Sequence, residues 1–330
     1  MGLNNEQSTA QENVDTGVAG HTFFTFPLAA QIEYAGFADI LYTESSAGES
    51  GFGYGQFELD LSGTVNSYVT FEGAIAYNAE EGVFEAGAGF LDIHFNGSDE
   101  EHPPRGGFVE HTGLMLGQFD VPFGIDYLHI PAVDRFFVNG PLMNQKTIDG
   151  WNDVGLNFYG ELSVLNFNLF AVNGAAEGIA AGGRLGFPVG ELMELGASYT
   201  LQTAKNDAGA VPNLLGVDFQ SSFGPVNTRI EYQKASAVES GDFDTLTDEN
   251  EHSGYYAQLD LDLDQMVRLP LFVVARYGSW EKAEDSESRI TAAMGYRFSE
   301  GFECRAEYLS NTLNEDEAEN QLTIQAVVSF

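Results

Sequence analysis

The sequence predicts an all-β protein, a closed up-and-down antiparallel barrel of about sixteen strands spanning residues 23–330 behind a polar tail, 1–22. Three observations predict it. Apolar and polar residues alternate with a period of two along most of the chain, with no long segment of helical period. The connections alternate between short Gly- or Pro-containing turns and longer acidic loops. The alternation also runs to the last residue: Leu322, Ile324, Ala326, Val328 and Phe330 share one face, and Thr323, Gln325 and Ser329 the other, with Val327 its only apolar member. Chain ends usually fray, so a terminus patterned this way is built to pair.

Taken in order, the chain opens with MGLNNEQSTAQENVDTGVAG, which has neither the cationic region nor the apolar core of a signal peptide and reads as a mobile tail. Strands follow near 31–43, 55–63, 67–78, 82–95 and 112–121. A middle set lies near 152–160, 163–172, 181–188, 192–202 and 213–222, and a last set near 226–234, 253–263, 270–279, 288–298, 301–310 and 320–330. Short connections include Ser299-Glu300-Gly301, Phe223-Gly224-Pro225, Pro188-Val189-Gly190 and Gly160-Glu161; longer ones are expected at 235–252, 279–288 and 311–319. The segment 96–110 falls on the short side yet is long. Short turns on one rim and long loops on the other suit an up-and-down barrel, whereas a Greek-key sandwich has no reason to alternate so.

Composition bounds the setting. No segment approaches the roughly 18–20 apolar residues of a membrane helix. Gly at 38, Phe at 26 and Tyr at 14, against Pro at 10, suit many strands, tight turns and aromatic girdles. A formal charge of −37 excludes nucleic acid as a partner, because phosphate binding needs clustered Lys and Arg. Cys304 is the single cysteine, so an intrachain disulfide and a cysteine zinc cluster are both excluded.

The two faces then acquire identities. Leu259, Leu261, Ile290, Ala292, Met294, Tyr296, Cys304, Ala306 and Tyr308 form an apolar set; Gln258, Asp260, Asp262, Arg297, Glu303, Arg305 and Glu307 form a polar one. Sixteen strands enclose more space than side chains fill. The polar face therefore belongs inside, around water, and the apolar face outside, against lipid: a membrane-spanning barrel. The last strand, ending in Phe330, resembles the closing strand of bacterial outer-membrane barrels.

The longest connection, about 124–151, follows Gly117-Gln118-Phe119-Asp120-Val121-Pro122-Phe123-Gly124 and carries Asp134-Arg135-Phe136-Phe137 before Asp153-Val154-Gly155-Leu156. Pro122 removes a ladder donor and Gly124 permits unusual dihedrals, so the pair forms a hinge where the strand stops and the chain turns. These forty or so residues resemble the phosphate-selective porin O/P family. That resemblance implies a porin whose loop folds inward as a constriction, and a homotrimer in the outer membrane, in contact with lipid and lipopolysaccharide and passing small hydrophilic solutes. The family's selectivity rests on abundant Lys and Arg. Here Asp120 sits in the motif and only Arg135 and Lys146 are basic in the loop.

Candidate pore-lining bases are Arg184, Arg229, Arg276, Arg297 and Arg305 on one wall, with Arg289 near the long-loop rim. Candidate acids are Glu33, Asp39, Glu58, Asp60 and Glu72 on the opposite wall, and Asp126, Asp134 and Asp149 in the loop. Opposed charges would set a transverse field; the competing reading is that each Arg neutralises a neighbouring acid, such as Glu303 or Glu307 beside Arg305. Acids outnumber bases, so a cation-preferring or weakly selective channel is expected. Tyr127, Phe136 and Phe137 could line a slide for sugars or pack the loop against the wall.

No enzyme signature stands out, and no cofactor is expected beyond calcium held loosely by acidic outer loops. His102 and His111 with Glu101 and Glu110 are the one arrangement that could chelate a metal, and the Asp242, Asp244, Asp248 run lacks the Gly and final Glu of a calcium loop. Competing readings are a non-channel barrel acting as adhesin, scaffold or lipid-acting enzyme, and a soluble all-β binding protein.

Overall fold

The computed structural model describes residues 32–48, 50–78, 82–95, 109–239, 242–247, 251–314 and 316–330. The tail 1–22 and most of 96–110, including His102 and Glu101, lie outside them. The strands are β1 (Ile32–Ser45), β2 (Gly51–Asn66), β3 (Val69–Asn78), β4 (Val83–His94), β5 (Val109–Asp120), β6 (Asn152–Leu162), β7 (Leu165–Asn173) and β8 (Ile179–Val189). They continue as β9 (Met193–Gln202), β10 (Asn213–Phe223), β11 (Val226–Ser236), β12 (His252–Asp262), β13 (Leu271–Lys282), β14 (Asp285–Ser299), β15 (Phe302–Leu313) and β16 (Asp316–Ser329). Each pairs antiparallel with the next, and β16 returns to β1, closing a sixteen-stranded barrel.

Closure depends on the terminal pattern. Thr323, Gln325, Val327 and Ser329 pair with Thr43, Leu41, Asp39 and Phe37 on the inner face. Phe330 exchanges both backbone hydrogen bonds with Gly36 at 3.0 Å. A Cβ on Gly36 would sit 2.8 Å from the Glu58 carbonyl and 2.9 Å from the Phe330 ring, so only glycine lets the two ends meet. Val327 breaks the polar row because it is buried against Phe37 and Ala132.

Facing follows the alternation. Leu259, Ile290 and Met294 are exposed on the outside, while Gln258, Asp260, Arg276 and Arg305 are buried inside. Aromatics gather at both ends: Tyr296, Phe298 and Phe302 at the short-turn rim, with centroids 4.8 and 5.1 Å apart, and Tyr54, Tyr77 and Phe84 at the other, 6.5 and 5.2 Å apart. An apolar band between two aromatic girdles is what lipid requires of a barrel wall.

The long-loop rim differs from expectation. The segments 279–288 and 311–319 are strand, not loop: β13 runs to Lys282 and β14 starts at Asp285, with Ala283 turning at φ 53°. β15 reaches Leu313, Asn314 turns at φ 47°, and β16 begins at Asp316. A tilted strand needs only about 9–11 residues to cross a bilayer, and β2, β14 and β16 have 16, 15 and 14. Their surplus runs past the length that lipid patterns, so the polar run there carries no alternation. The segment 235–252 also holds structure of its own, a small hairpin of Val238–Glu239 with Asp242–Leu246. On the short side, Leu263–Val267 form one helical turn capped by Asp262, whose carboxylate accepts from Asp264 N–H at 3.0 Å.

Candidate functional site: the constriction loop and the lumen

Residues 121–151 enter the barrel. Val121 N–H donates to the Trp151 carbonyl at 2.9 Å, so the two feet of the loop stay paired. Pro122 then supplies no donor. Gly124 turns at φ +67°, and its N–H donates to Ser198 Oγ at 3.0 Å. A Cβ on Gly124 would fall 1.8 Å from Glu231 Oε1, so the residue is constrained by its dihedral and by contact. Phe119, Val121, Phe123 and Trp151 are buried with Phe170, Val172, Ala180 and Leu214 from β7, β8 and β10. This apolar plug seats the loop on one side of the barrel.

The far limb is held by charge. Arg305 on β15 donates to the carbonyls of Arg135 at 2.6 Å and Ala132 at 3.0 Å. Beside it, Glu307 accepts from Val138 N–H at 2.7 Å and from the Asn139 side chain. Arg276 on β13 donates to the carbonyls of Asn139 at 2.5 Å and Gly140 at 2.9 Å and lies 4.3 Å over the Phe137 ring. Phe137 is buried with Phe272, Val274 and Ala293, and Phe136 packs on Phe272 at 4.8 Å. Phe136 and Phe137 therefore pack the loop to the wall.

The return limb carries a helical turn, Leu142–Thr147, with Leu142, Met143, Asn144 and Thr147 buried. Arg289 donates to Gln145 Oε1 at 2.7 Å, Lys146 pairs with Glu287 at 2.9 Å, and Gln233 donates to Asn144 Oδ1 at 3.1 Å. Asp149 and Gly150, at φ 37° and 77°, turn the chain back to β6.

The remaining wall arginines pair with acids. Arg184 meets Asp218 at 2.5 Å and Glu194 at 2.8 Å; Arg229 meets Asp260 at 3.1 Å; Arg297 meets Asp262 at 3.3 Å and Glu303 at 3.6 Å. On the other side, Glu58 lies within electrostatic reach of Asp60, Asp120 and Asp134. Glu72 lies near Asp60 and Asp92. Glu72 and Asp134 are exposed, Glu58 and Asp60 half-buried, although all face inward or sit on the inward loop. That gap is open to water.

The other candidates are placed as follows. Asp39 is buried, accepting from Gln56 N–H at 2.5 Å and Gln325 Nε2 at 2.6 Å. Glu33 is exposed near the short-turn rim, opposite Ser62. Arg135 lies between loop and wall, donating to the Ile130 carbonyl at 3.1 Å and Gln56 Oε1 at 3.3 Å. Burial, reinforced by the charge of Arg229, pushes the His129 imidazole below its ordinary range, and its Nδ1 donates to the Asp134 carbonyl at 2.9 Å. The structure adds residues that the sequence reading passed over: Asp218, Glu231, Gln233, Asn139 and Gln145. Asp218 and Glu231 were within reach, because the parity that turns Arg229 inward turns Glu231 inward too. Among the described residues, no group of three or more His, Cys, Asp or Glu side chains is arranged to hold a metal ion.

No protein-family model matches this sequence, and no curated protein matches it. Solved structures do. The anion-selective porin from Comamonas acidovorans aligns at 12% identity over 91% of this chain and 100% of its own, with a TM-score of 0.66. Salmonella typhi OmpF, in complex with daunomycin, aligns at 12% identity over 91% and 97%, with a TM-score of 0.65. A trimer form of OmpT, an outer membrane protein of Vibrio cholerae, aligns at 14% identity over 92% and 100%, with a TM-score of 0.63. At such identities the likeness is one of fold: the chain has the barrel architecture of bacterial outer-membrane porins.

Proposed function

We propose that the protein is a passive channel of the bacterial outer membrane, admitting small hydrophilic solutes and ions with a preference for cations. The observation that carries this reading is the asymmetry of the lumen. The wall arginines are spent on loop carbonyls and buried acids, whereas Glu58, Asp60, Glu72 and Asp134 border the space left open. A narrow water-filled gap bordered by carboxylates lowers the energy of a passing cation and raises that of an anion. The acid side also argues against phosphate as the favoured solute. The exposed apolar band and two aromatic girdles support residence in lipid, with lipopolysaccharide as the outer neighbour.

A homotrimer is part of the proposal, since porin-fold relatives include a trimer form. The reading requires no catalytic residue and no cofactor. Planar-bilayer recording tests it: stepwise conductance with a reversal potential of cation-selective sign in a KCl gradient is expected. Absence of conductance would favour a scaffold or adhesin, and an anion-selective reversal potential would sink the selectivity claim.

A further inference from the structure

Behind the open gap, the constriction loop curls round a cavity of about 250 Å³ with Arg229, Gln258 and Arg276 of β11, β12 and β13 as its floor. A second cavity of about 410 Å³, reaching the short-turn rim at residues 190–192, meets the first at His129, Phe136 and Arg229. The channel reading uses neither.

The inner cavity brings wall guanidinium groups that the pairings above use only in part to face a loop carboxylate, Asp126. Arg229 bonds Asp260 through Nη2, and Arg276 bonds its two loop carbonyls through Nη2. The other guanidinium N–H groups of both make no hydrogen bond among the described residues. Asp126, on the loop side, lies in the field of Arg276 and Arg135. Among the described residues its carboxylate has neither an ion pair within 4.0 Å nor a hydrogen bond. Donors and acceptor are thus held apart by the scaffold across a space open to a small guest.

Such a site discriminates by charge pattern. A lone anion satisfies the guanidinium groups and is repelled by Asp126; a lone cation does the reverse. A molecule carrying both charges satisfies both ends and brings no net charge into a poorly solvated space. The volume is below the roughly 300–1,000 Å³ of sites for drug-sized ligands, so the guest is small. We infer that this cavity is a binding station for small zwitterions of the amino-acid type, carboxylate toward Arg229 and Arg276 and ammonium toward Asp126. It deepens the channel reading by naming a solute class, and it rests on that reading for entry through the lumen.

Calorimetric titration of the full-length protein, folded in detergent, with serine, propionate and ethanolamine separately tests the inference. Serine is expected to bind at least about tenfold more tightly than either single-charge probe, the worth of one charge-assisted contact. Asp126→Asn should reduce serine to the level of propionate while leaving propionate no weaker. Arg229→Gln should weaken serine and propionate alike; Arg229 is chosen because it does not hold the loop, and heat-modifiable gel migration checks that each variant is folded. Propionate binding as tightly as serine would overturn the inference, as would serine binding indifferent to both substitutions. Failure of serine to bind a protein that conducts in a bilayer would overturn the zwitterion station alone. Failure to conduct would overturn the channel reading.

Discussion

Arg305→Met removes a two-bond tie between loop and wall while keeping the apolar stem. Arg305 is 3% exposed and donates to the carbonyls of Arg135 and Ala132 at 2.6 and 3.0 Å. Charge-assisted bonds of this kind contribute about 1.5–3 kcal/mol each, so the pair holds the far limb by about 3–6 kcal/mol. Its Glu303 partner loses the 2.8 Å contact at Oε1 but keeps Arg297 at 3.6 Å through Oε2. Taking the lower figure, local opening of 132–139 becomes about a hundredfold more frequent. Amide hydrogen exchange reads this directly, because Val138 and Asn139 N–H groups are both held by Glu307 at 2.7 and 3.2 Å. The expected result is about hundredfold faster exchange at these amides with barrel strands unchanged. Protection of Val138 and Asn139 within about threefold of the parent would refute the view that Arg305 clamps the loop.

Other perturbations bear on the same design. Gly124→Ala puts a Cβ 1.8 Å from Glu231 Oε1 at a φ of +67°, so it should cost at least about 1–3 kcal/mol and lower the temperature of heat-modifiable unfolding in detergent gels. His129 has its folded pKa lowered from 6.5, so the undocked loop takes up a proton first as pH falls. Docking is therefore firm above that range and weakens below it, and the loss of protection of 126–137 from pH 7 to pH 5, taken relative to the intrinsic exchange rate at each pH, should shrink in His129→Gln. Gly36→Val meets the Glu58 carbonyl and the Phe330 ring, so it should slow barrel closure, seen as accumulation of the unfolded band during refolding.

The barrel was legible because lipid imposes a period of two that runs through every crossing. The same parity that turned Leu259 and Ile290 outward turned Asp260 and Arg276 inward. Legibility failed where lipid stops. The ends of β13 through β16 run past the length that lipid patterns, so Asp285–Ser288 and the acidic start of β16 read as loops although they are paired. The short turn at Leu263–Val267 announced itself only through the Asp262-Leu263-Asp264 cap, a signal three residues wide. At the site, the inward arginines and several of their acidic partners, Asp260, Asp262 and Glu303 among them, could be found by parity, yet the partners on the loop could not. Arg276 and Arg305 end on backbone carbonyls, and a carbonyl has no letter in the sequence. The free charge of the lumen is what remains after such pairings, which only the fold reveals.

The central claim is that the open gap is governed by carboxylates and not by the arginines opposite. Reversal potential in a KCl gradient, compared between the parent and Glu58→Gln/Asp60→Asn/Asp134→Asn, tests it most directly. The account predicts a cation-selective potential in the parent that collapses toward zero in the triple variant at similar conductance. An anion-selective parent, or a triple variant with unchanged selectivity, would contradict it.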